Sequence, residues 1–461
     1  MNTVVVIAAL LLLVGMAYRG ASVIIFAPLA ALLAVAFTDP AQIGPAFSGI
    51  YLQALGGFVE TYFPVFLLGA AFGKLMELSG YASSVASAIV TVVGHEAAIL
   101  ATVIIAAVMT YGGVSLFVVV FTVYPISASM FRHVGIPKRL LPAAIALGAF
   151  TFSMDSIPGS PQIQNIIPAA YFGTTTWAAP WLGSVGALFI AILGVTYLEL
   201  RRRSSKGEGY GVGQINEPEG VVSARLIPAW LGFLPLLIVL LANLYLTHFI
   251  PMHYGDTVYA NLPGLKAPIA LTTKSVAGIW AAEAALIGGC AFVGLTRLAA
   301  LRLGIGEGLK SAVGGAMLAA INTASEFGFG AVIAALPGFA LVRAGASMIN
   351  NPLVNEAVTI TALAGMTGSG SGGLSLALGA MGDQFLARGL AAGIPPEVVH
   401  RVAAMACGGM DTLPHNGAVI TLLAVTGLTH RQAYRDIFAI TGIKTLAVFF
   451  VIGAYYLTGL S

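Results

Sequence analysis

Charge is what this chain has least of. Lysine, arginine, aspartate and glutamate make up 8% of its 461 residues, 21 basic and 18 acidic, where soluble domains carry about 25%. A soluble fold of this size needs polar side chains over its outside, so the scarcity excludes one. With 58% hydrophobic residues, lipid must solvate much of the surface. The formal net charge of +3 is too small and too dispersed for a nucleic-acid partner, which needs a clustered basic face. Cysteine is nearly absent: Cys290 and Cys407, both in apolar runs, read as small core residues rather than a disulfide. His-x-x-x-His and Cys/His clusters are missing, so neither a metal site nor another cofactor is expected.

Long apolar runs are what the chain has in abundance. They predict an all-α integral membrane protein of about ten transmembrane helices plus two re-entrant hairpins. A span takes about 20 apolar residues, and fewer suffice at a terminus. Runs near 2–18, 21–37, 56–79, 138–175, 180–199, 226–247, 276–296, 309–335, 396–427 and 436–457 qualify, with interruptions in 138–175 and 396–427. Segments 96–131 and 353–390 have Gly-rich centres and fit hairpins better than straight crossings. The run from Val4 to Met16 reads as a membrane helix rather than a cleaved leader, because Arg19 follows it and a second span starts at once. The 56 glycines announce close helix packing and breaks within spans.

Basic residues in short loops orient the spans. Arg201, Arg202, Arg203, Lys206 and Arg225 put the polar stretch 200–225 in the cytoplasm. Counting outward places Arg19, Lys74, Lys138, Arg139, Arg297, Arg302, Lys310, Arg431 and Arg435 inside as well, with Arg388 and Arg401 as exceptions. Both termini then lie outside an inner (cytoplasmic) membrane.

The two halves share motifs in order. Met154-Asp155-Ser156-Ile157-Pro158 reappears as Met410-Asp411-Thr412-Leu413-Pro414, and Gly112-Gly113-Val114-Ser115-Leu116 as Gly372-Gly373-Leu374-Ser375-Leu376. Gly135-Ile136-Pro137 matches Gly393-Ile394-Pro395, and Leu78-Ser79-Gly80 matches Leu336-Pro337-Gly338. Five spans per half is odd, so the second copy is inserted upside down. Inverted repeats with broken helices at the midplane are a transporter architecture. The expected layout is a first repeat at 1–199, with scaffold helices 1–79 and a hairpin and broken helix at 96–175. A cytoplasmic linker at 200–225 follows, then a second repeat at 226–461 with scaffold 226–335 and hairpin and broken helix 353–427.

The breaks and hairpin tips are the candidate site. Two prolines and a glycine at 158–161 remove backbone donors and free carbonyls, which is tolerated at membrane depth only beside protein or a wet cavity. A simple Pro kink patched by hydroxyls is the plainer reading of either break; matched breaks, each with an Asp, favour a site. At the tips glycine lets the backbone approach a ligand, and helix N-termini offer amide donors to an anion. Candidate substrate-binding residues are Thr110, Tyr111, Gly112, Gly113, Ser115, Ser156, Ser160, Gln162, Thr367, Ser369, Ser371, Thr412 and Asn416. The span cores are read as free of Arg and Lys. Hydroxyl and amide donors then suit a hydroxylated monocarboxylate better than a phosphate ester, which recruits Arg.

An intramembrane charge costs about 2.5–3.5 kcal/mol on insertion scales, so each asks for a reason. Asp155 and Asp411 lead for proton or cation coupling. His415, four residues on from Asp411, suits a proton carrier. Glu326 has the context of a buried group, for which a helix–helix hydrogen bond is the alternative. Glu60 and Glu283 lie near other spans, and His95 and Glu96 read as interfacial.

The Gly112–Leu116 tip, the Ile157-Pro158-Gly159-Ser160-Pro161 break and the turn from Phe72 to Gly80 resemble the gluconate permease (GntP-type) family of the ion-transporter superfamily. That resemblance implies a homodimer and proton-coupled import of gluconate or a related hydroxy acid, with an elevator movement of the hairpin-bearing domain. The family's break is Pro-Pro-His-Pro-Gly-Pro; here a histidine lies instead in the other half, at His415, so 3-hydroxybutyrate or another small carboxylate is an equal candidate. Sodium coupling through unwound carbonyls and Asp155 or Asp411 is the alternative within transport. A polytopic membrane enzyme using Asp411, His415 and Ser371 is the alternative outside it.

Overall fold

The structure is a computed structural model that describes residues 2–19, 22–211, 227–302, 304–340, 344–345, 348–414 and 416–461. His415, Arg225 and most of the expected linker therefore lie outside the described residues.

Helices follow the apolar runs. In chain order they are α1 (Asn2–Tyr18), α2 (Val23–Thr38), α3 (Leu52–Leu78), α4 (Tyr81–Val93), α5 (Ala98–Tyr111), α6 (Leu116–Val134), α7 (Leu141–Ala149), α8 (Ile163–Phe172) and α9 (Pro180–Ser204). Then come α10 (Ala229–Tyr254), α11 (Thr273–Leu301), α12 (Ile305–Ala335), α13 (Pro352–Thr367), α14 (Gly370–Ala391), α15 (Pro396–Gly408), α16 (Gly417–Thr426) and α17 (His430–Thr458).

The expected spans are matched in part. Among the described residues six helices are long and apolar enough to cross a membrane, or seven if the pair α4 and α5, bent by 111°, is one span. The reason is visible in the two interrupted runs, which proline and glycine cut into short pieces: 138–175 becomes α7, a turn at Phe152–Asp155 and α8, and 396–427 becomes α15, a 3-10 turn at Gly409–Thr412 and α16. Two elements had no counterpart in the hydropathy reading. One is α4, whose amphipathic run ends at the exposed His95–Glu96 bend. The other is a β-hairpin after α10, with β1 (Thr257–Ala260) antiparallel to β2 (Ile269–Thr272) and Thr257 opposite Thr272.

One succession occurs twice among the described residues, with α4 additional in the first copy: a long helix, a helical hairpin, a short helix, an irregular stretch, another short helix, and a long helix. It runs from α3 to α9 and again from α12 to α17. Corresponding turns share local geometry. Gly135 and Gly393 end their hairpins at φ +70° and +71°, and the next amide bonds back to the same helical position each time, Ile136 to Phe131 at 2.8 Å and Ile394 to Gly389 at 2.9 Å. A residue with a Cβ resists that left-handed conformation, which is why glycine recurs there.

Packing brings the breaks inward. The long helices α3 and α12 lie along one another, α12 also touches α2 and α14, and α17 runs against α7, α9, α15 and the 409–412 turn. At the cytoplasm-facing end expected from the basic loops, the buried Asp436 of α17 takes Arg139 at 3.1 Å, Arg201 at 2.7 Å and the Tyr197 hydroxyl at 2.8 Å. The second hairpin is tight: a Cβ on Gly373 would come within 2.0 Å of the Ala364 backbone. Gly373→Ala is therefore expected to destabilise the protein by about 1–3 kcal/mol, read as a lowered melting temperature in detergent, whereas Gly314→Ala, which faces open space, is expected to change little.

Candidate functional site

Each hairpin tip is tied to the break of its own half. At the first, the Tyr111 hydroxyl donates to the Pro158 carbonyl at 2.8 Å, and Gln162 Nε2 donates to the Thr110 carbonyl at 2.7 Å. At the second, the Gly370 amide donates to Asp411 Oδ1 at 2.9 Å. Gln164 bridges the halves, its Nε2 donating to Asp411 Oδ2 at 3.0 Å.

A cavity of about 460 Å³ lies where tips and breaks converge, within the size range of small-molecule sites. Of the residues singled out from the sequence, Gly113, Ser115, Gln162, Glu326, Thr367, Ser369, Ser371, Asp411 and Asn416 line it. Gln164, Asn322 and Thr323 line it too and had not been singled out. A polar signal was present for two of them, since Asn322 and Thr323 lead into Ser325 and Glu326 within an otherwise apolar helix.

The remaining candidates are turned to other partners. Ser156 donates to Asp155 at 2.7 Å, Ser160 donates to the Ser153 carbonyl at 2.8 Å, and Thr412 pairs with Thr441 at 2.7 Å. Thr110 is buried in α5 and Gly112 abuts Leu236. The second tip falls within the Gly-rich stretch 367–373. It turns at Gly368 and Ser369, while Gly372 and Gly373 fall inside the first turn of α14. Their work there is close packing, because a Cβ on Gly372 would meet the Glu326 carboxylate. Ser369 caps α14 by accepting from the Gly372 amide at 3.1 Å, and it is also a hydrogen-bonding neighbour of Glu326.

The expectation of span cores free of Arg and Lys is wrong. Lys444, halfway along α17, is fully buried and forms an ion pair with Asp155. Its ammonium also donates to the Phe150 carbonyl at 3.3 Å. Arg401 of α15 is 0% exposed. It donates to the carbonyls of Asp155 at 2.5 Å and Ala178 at 2.7 Å, and to Asn165 Oδ1 at 3.0 Å. Five fixed donors let one guanidinium satisfy several carbonyls freed by the first break. Beside it, Asn165 uses its amide N–H groups on the Ser160 and Thr176 carbonyls. Its Oδ1 is thus an acceptor, so His400 Nε2 at 3.3 Å donates to it, and Nδ1 accepts from the Thr174 hydroxyl at 2.6 Å. Both cations left a trace in the sequence: Arg401 broke the basic-loop pattern, and Lys444 is a lone lysine in an apolar helix. Asp155 is therefore turned away from the cavity.

The second break is satisfied by hydroxyls and a ring nitrogen instead. Tyr434 donates to the Thr412 carbonyl at 3.2 Å, and His430 Nε2 lies 2.7 Å from the Pro414 carbonyl. Asn416 Oδ1 caps α16 through the Ala418 amide at 2.7 Å.

Two broken helices and two helical hairpins that meet at a small polar cavity inside an apolar body define the class of multi-pass membrane transporters. Comparison with known proteins narrows this. The chain is 53% identical over 471 residues to the protein of Bacillus subtilis (strain 168) described as uncharacterized transporter YxjC, with all of both chains covered. It belongs to the transporter family that includes that protein. In fold it is similar to the crystal structure of the Alcanivorax borkumensis YdaH transporter, at a TM-score of 0.54 and 16% identity over 99% of this chain and 98% of that one. No family model matches the chain.

Lys444→Met strands a buried carboxylate at Asp155, so it is expected to destabilise the protein by about 3–5 kcal/mol. The neutral pair Lys444→Met/Asp155→Asn is expected to recover most of that loss in thermal unfolding of the purified protein.

Proposed function

We propose that the protein is a symporter importing a small hydroxy carboxylate, such as gluconate or 3-hydroxybutyrate, together with protons. One observation carries the reading. Among the described residues the cavity is lined by two carboxylates, Asp411 and Glu326, and by no Lys or Arg. An anion enters such a site only when its charge and theirs are compensated, by a proton on a carboxylate or by a cation held beside it.

The other lining groups suit a hydroxylated ligand. Gln162, Asn322 and Asn416 supply carboxamides, and Ser115, Thr323 and Ser371 supply hydroxyls. None matches the bidentate arginine that a phosphate ester calls for. Under this reading the tips and breaks form one moving unit of each half, the halves are inverted repeats as in the gluconate permeases, and α3 and α12 belong to a scaffold that dimerises. Asp155, held by Lys444, is a counter-ion rather than a coupling group. Sodium coupling is the second reading, favoured by the unpartnered oxygens Gln164 Oε1 and Glu326 Oε2, which suit a hard cation as well as a proton.

Uptake into proteoliposomes separates these. Gluconate and 3-hydroxybutyrate are expected to accumulate under an inward pH gradient without sodium, and uptake that follows sodium and ignores pH would overturn proton coupling. Asp411→Asn is expected to lower gradient-driven uptake by about tenfold or more, matching loss of one charged hydrogen-bonding acceptor of about 1.5–3 kcal/mol, with the elution profile and melting temperature of a folded protein.

A further inference from the structure

We propose that coupling runs through one acidic group, Glu326, which carries a single proton per transport cycle, and that Asp155 takes no part. The inference rests on the symport reading above and assigns the ion site within it.

Five carboxylates are buried among the described residues; Asp436 is paired with Arg139 and Arg201, and Glu356 of α13 does not line the cavity, so geometry divides the three at the breaks and the cavity. Asp155 has both oxygens committed behind the first break, one to Lys444 and one to the Ser156 hydroxyl. A Cβ on Gly408 would collide with both members of that ion pair, so the pair sits in a recess closed by glycine and off the cavity. Asp411 lines the cavity, yet both its oxygens are also taken, by the Gly370 amide and by Gln164 Nε2. A proton on either oxygen would displace one of those N–H donors.

Glu326 differs. It is 3% exposed, lines the cavity, and its Oε2 has no partner. Gln164, 2% exposed on the same cavity, has committed its amide N–H to Asp411 and leaves Oε1 without a donor. Two unsatisfied acceptors cannot satisfy each other. A proton taken from the aqueous side by the Glu326 carboxylate converts its open oxygen into an O–H donor for an oxygen of the bound acid. Returning that proton to the other side restores the carboxylate.

Charge balance points the same way. At the breaks and the cavity, Asp155 and Asp411 offset Lys444 and Arg401, so an ionised Glu326 adds a negative charge beside the place where an anion binds; the buried Glu356 does not line that cavity. The proton removes that charge. Packed on α12 are α2, α3, α14 and the helical turn Phe47–Tyr51, whose buried Tyr51 lies against Gly328. Their cavity-lining residues are Ser22 and Val23 at the start of α2, Val65, Phe66, Gly69 and Ala70 on α3, and Ser369 and Ser371 at the start of α14. The charged group acting on Glu326 is Asp411, and its hydrogen-bonding neighbour is Ser369.

The test uses the full chain in proteoliposomes with the membrane potential clamped at zero and gluconate and 3-hydroxybutyrate as probes. One coupled proton gives accumulation that rises about tenfold per unit of pH gradient, and two give about a hundredfold. We expect tenfold for the wild type and for Lys444→Met/Asp155→Asn. Glu326→Gln, which mimics the protonated acid, is expected to keep counterflow exchange and lose accumulation. Accumulation retained in Glu326→Gln, or a hundredfold slope in the wild type, overturns the proposal. Carriage of neither probe would count against the symport reading alone, because the proton assignment is also read without substrate. Infrared difference spectra on acidification should show a protonated-carboxyl band that persists in Asp155→Asn, Asp411→Asn and Glu356→Gln and vanishes in Glu326→Gln; a band lost in Glu356→Gln overturns the assignment. A band unchanged in Glu326→Gln refutes the assignment whatever the substrate.

Discussion

Every backbone carbonyl freed inside an apolar body has to find a donor within the protein, and this constraint organises the rest of the structure. Two helices are broken by proline and glycine at corresponding places in the two halves. Each break releases carbonyls that lipid cannot satisfy at a cost of several kcal/mol apiece. What surrounds the breaks is the set of side chains that meet that demand, and the cavity is the space they leave.

The two halves solve the same problem with different chemistry. Around the first break the donors are permanent cations contributed by the second half: Arg401 reaches across to the Asp155 and Ala178 carbonyls, and Lys444 holds the Asp155 carboxylate. Around the second break the donors are neutral or exchangeable, from Tyr434, Thr441 and His430. The carboxylate of one break is therefore paired with a cation, while that of the other lines the cavity. A chain whose two halves match in layout thereby becomes functionally asymmetric. Gln164 is the seam, rising from the first break to bind the carboxylate of the second.

Much of this was legible in the residues, for local reasons. The hairpins at 96–131 and 353–390 were visible because Gly-rich centres interrupt apolar runs, and the breaks because proline cannot continue a helix. The left-handed turns at Gly135 and Gly393 follow from glycine alone. Other features were illegible for equally physical reasons. The close approach of Glu326 to Gly372 is a contact between residues 46 positions apart that no local pattern encodes. The partner of Asp155 lies in α17, so the sequence could flag both charges without pairing them. Asn165 and Gln164 look like ordinary polar residues in a helix start until their neighbours are known.

The sequence by itself determined the solvent, the class and the places where the chain must break, because hydropathy, charge scarcity and proline act within a few residues of where they stand. Only the tertiary structure decided which buried charges cancel and which remain open. Ionisation and hydrogen bonding at membrane depth depend on neighbours brought together from hundreds of residues apart, and on the low dielectric that makes each pairing, or its absence, decisive. Hence Asp155 and Asp411, twins in sequence, end as a sealed counter-ion and a cavity wall.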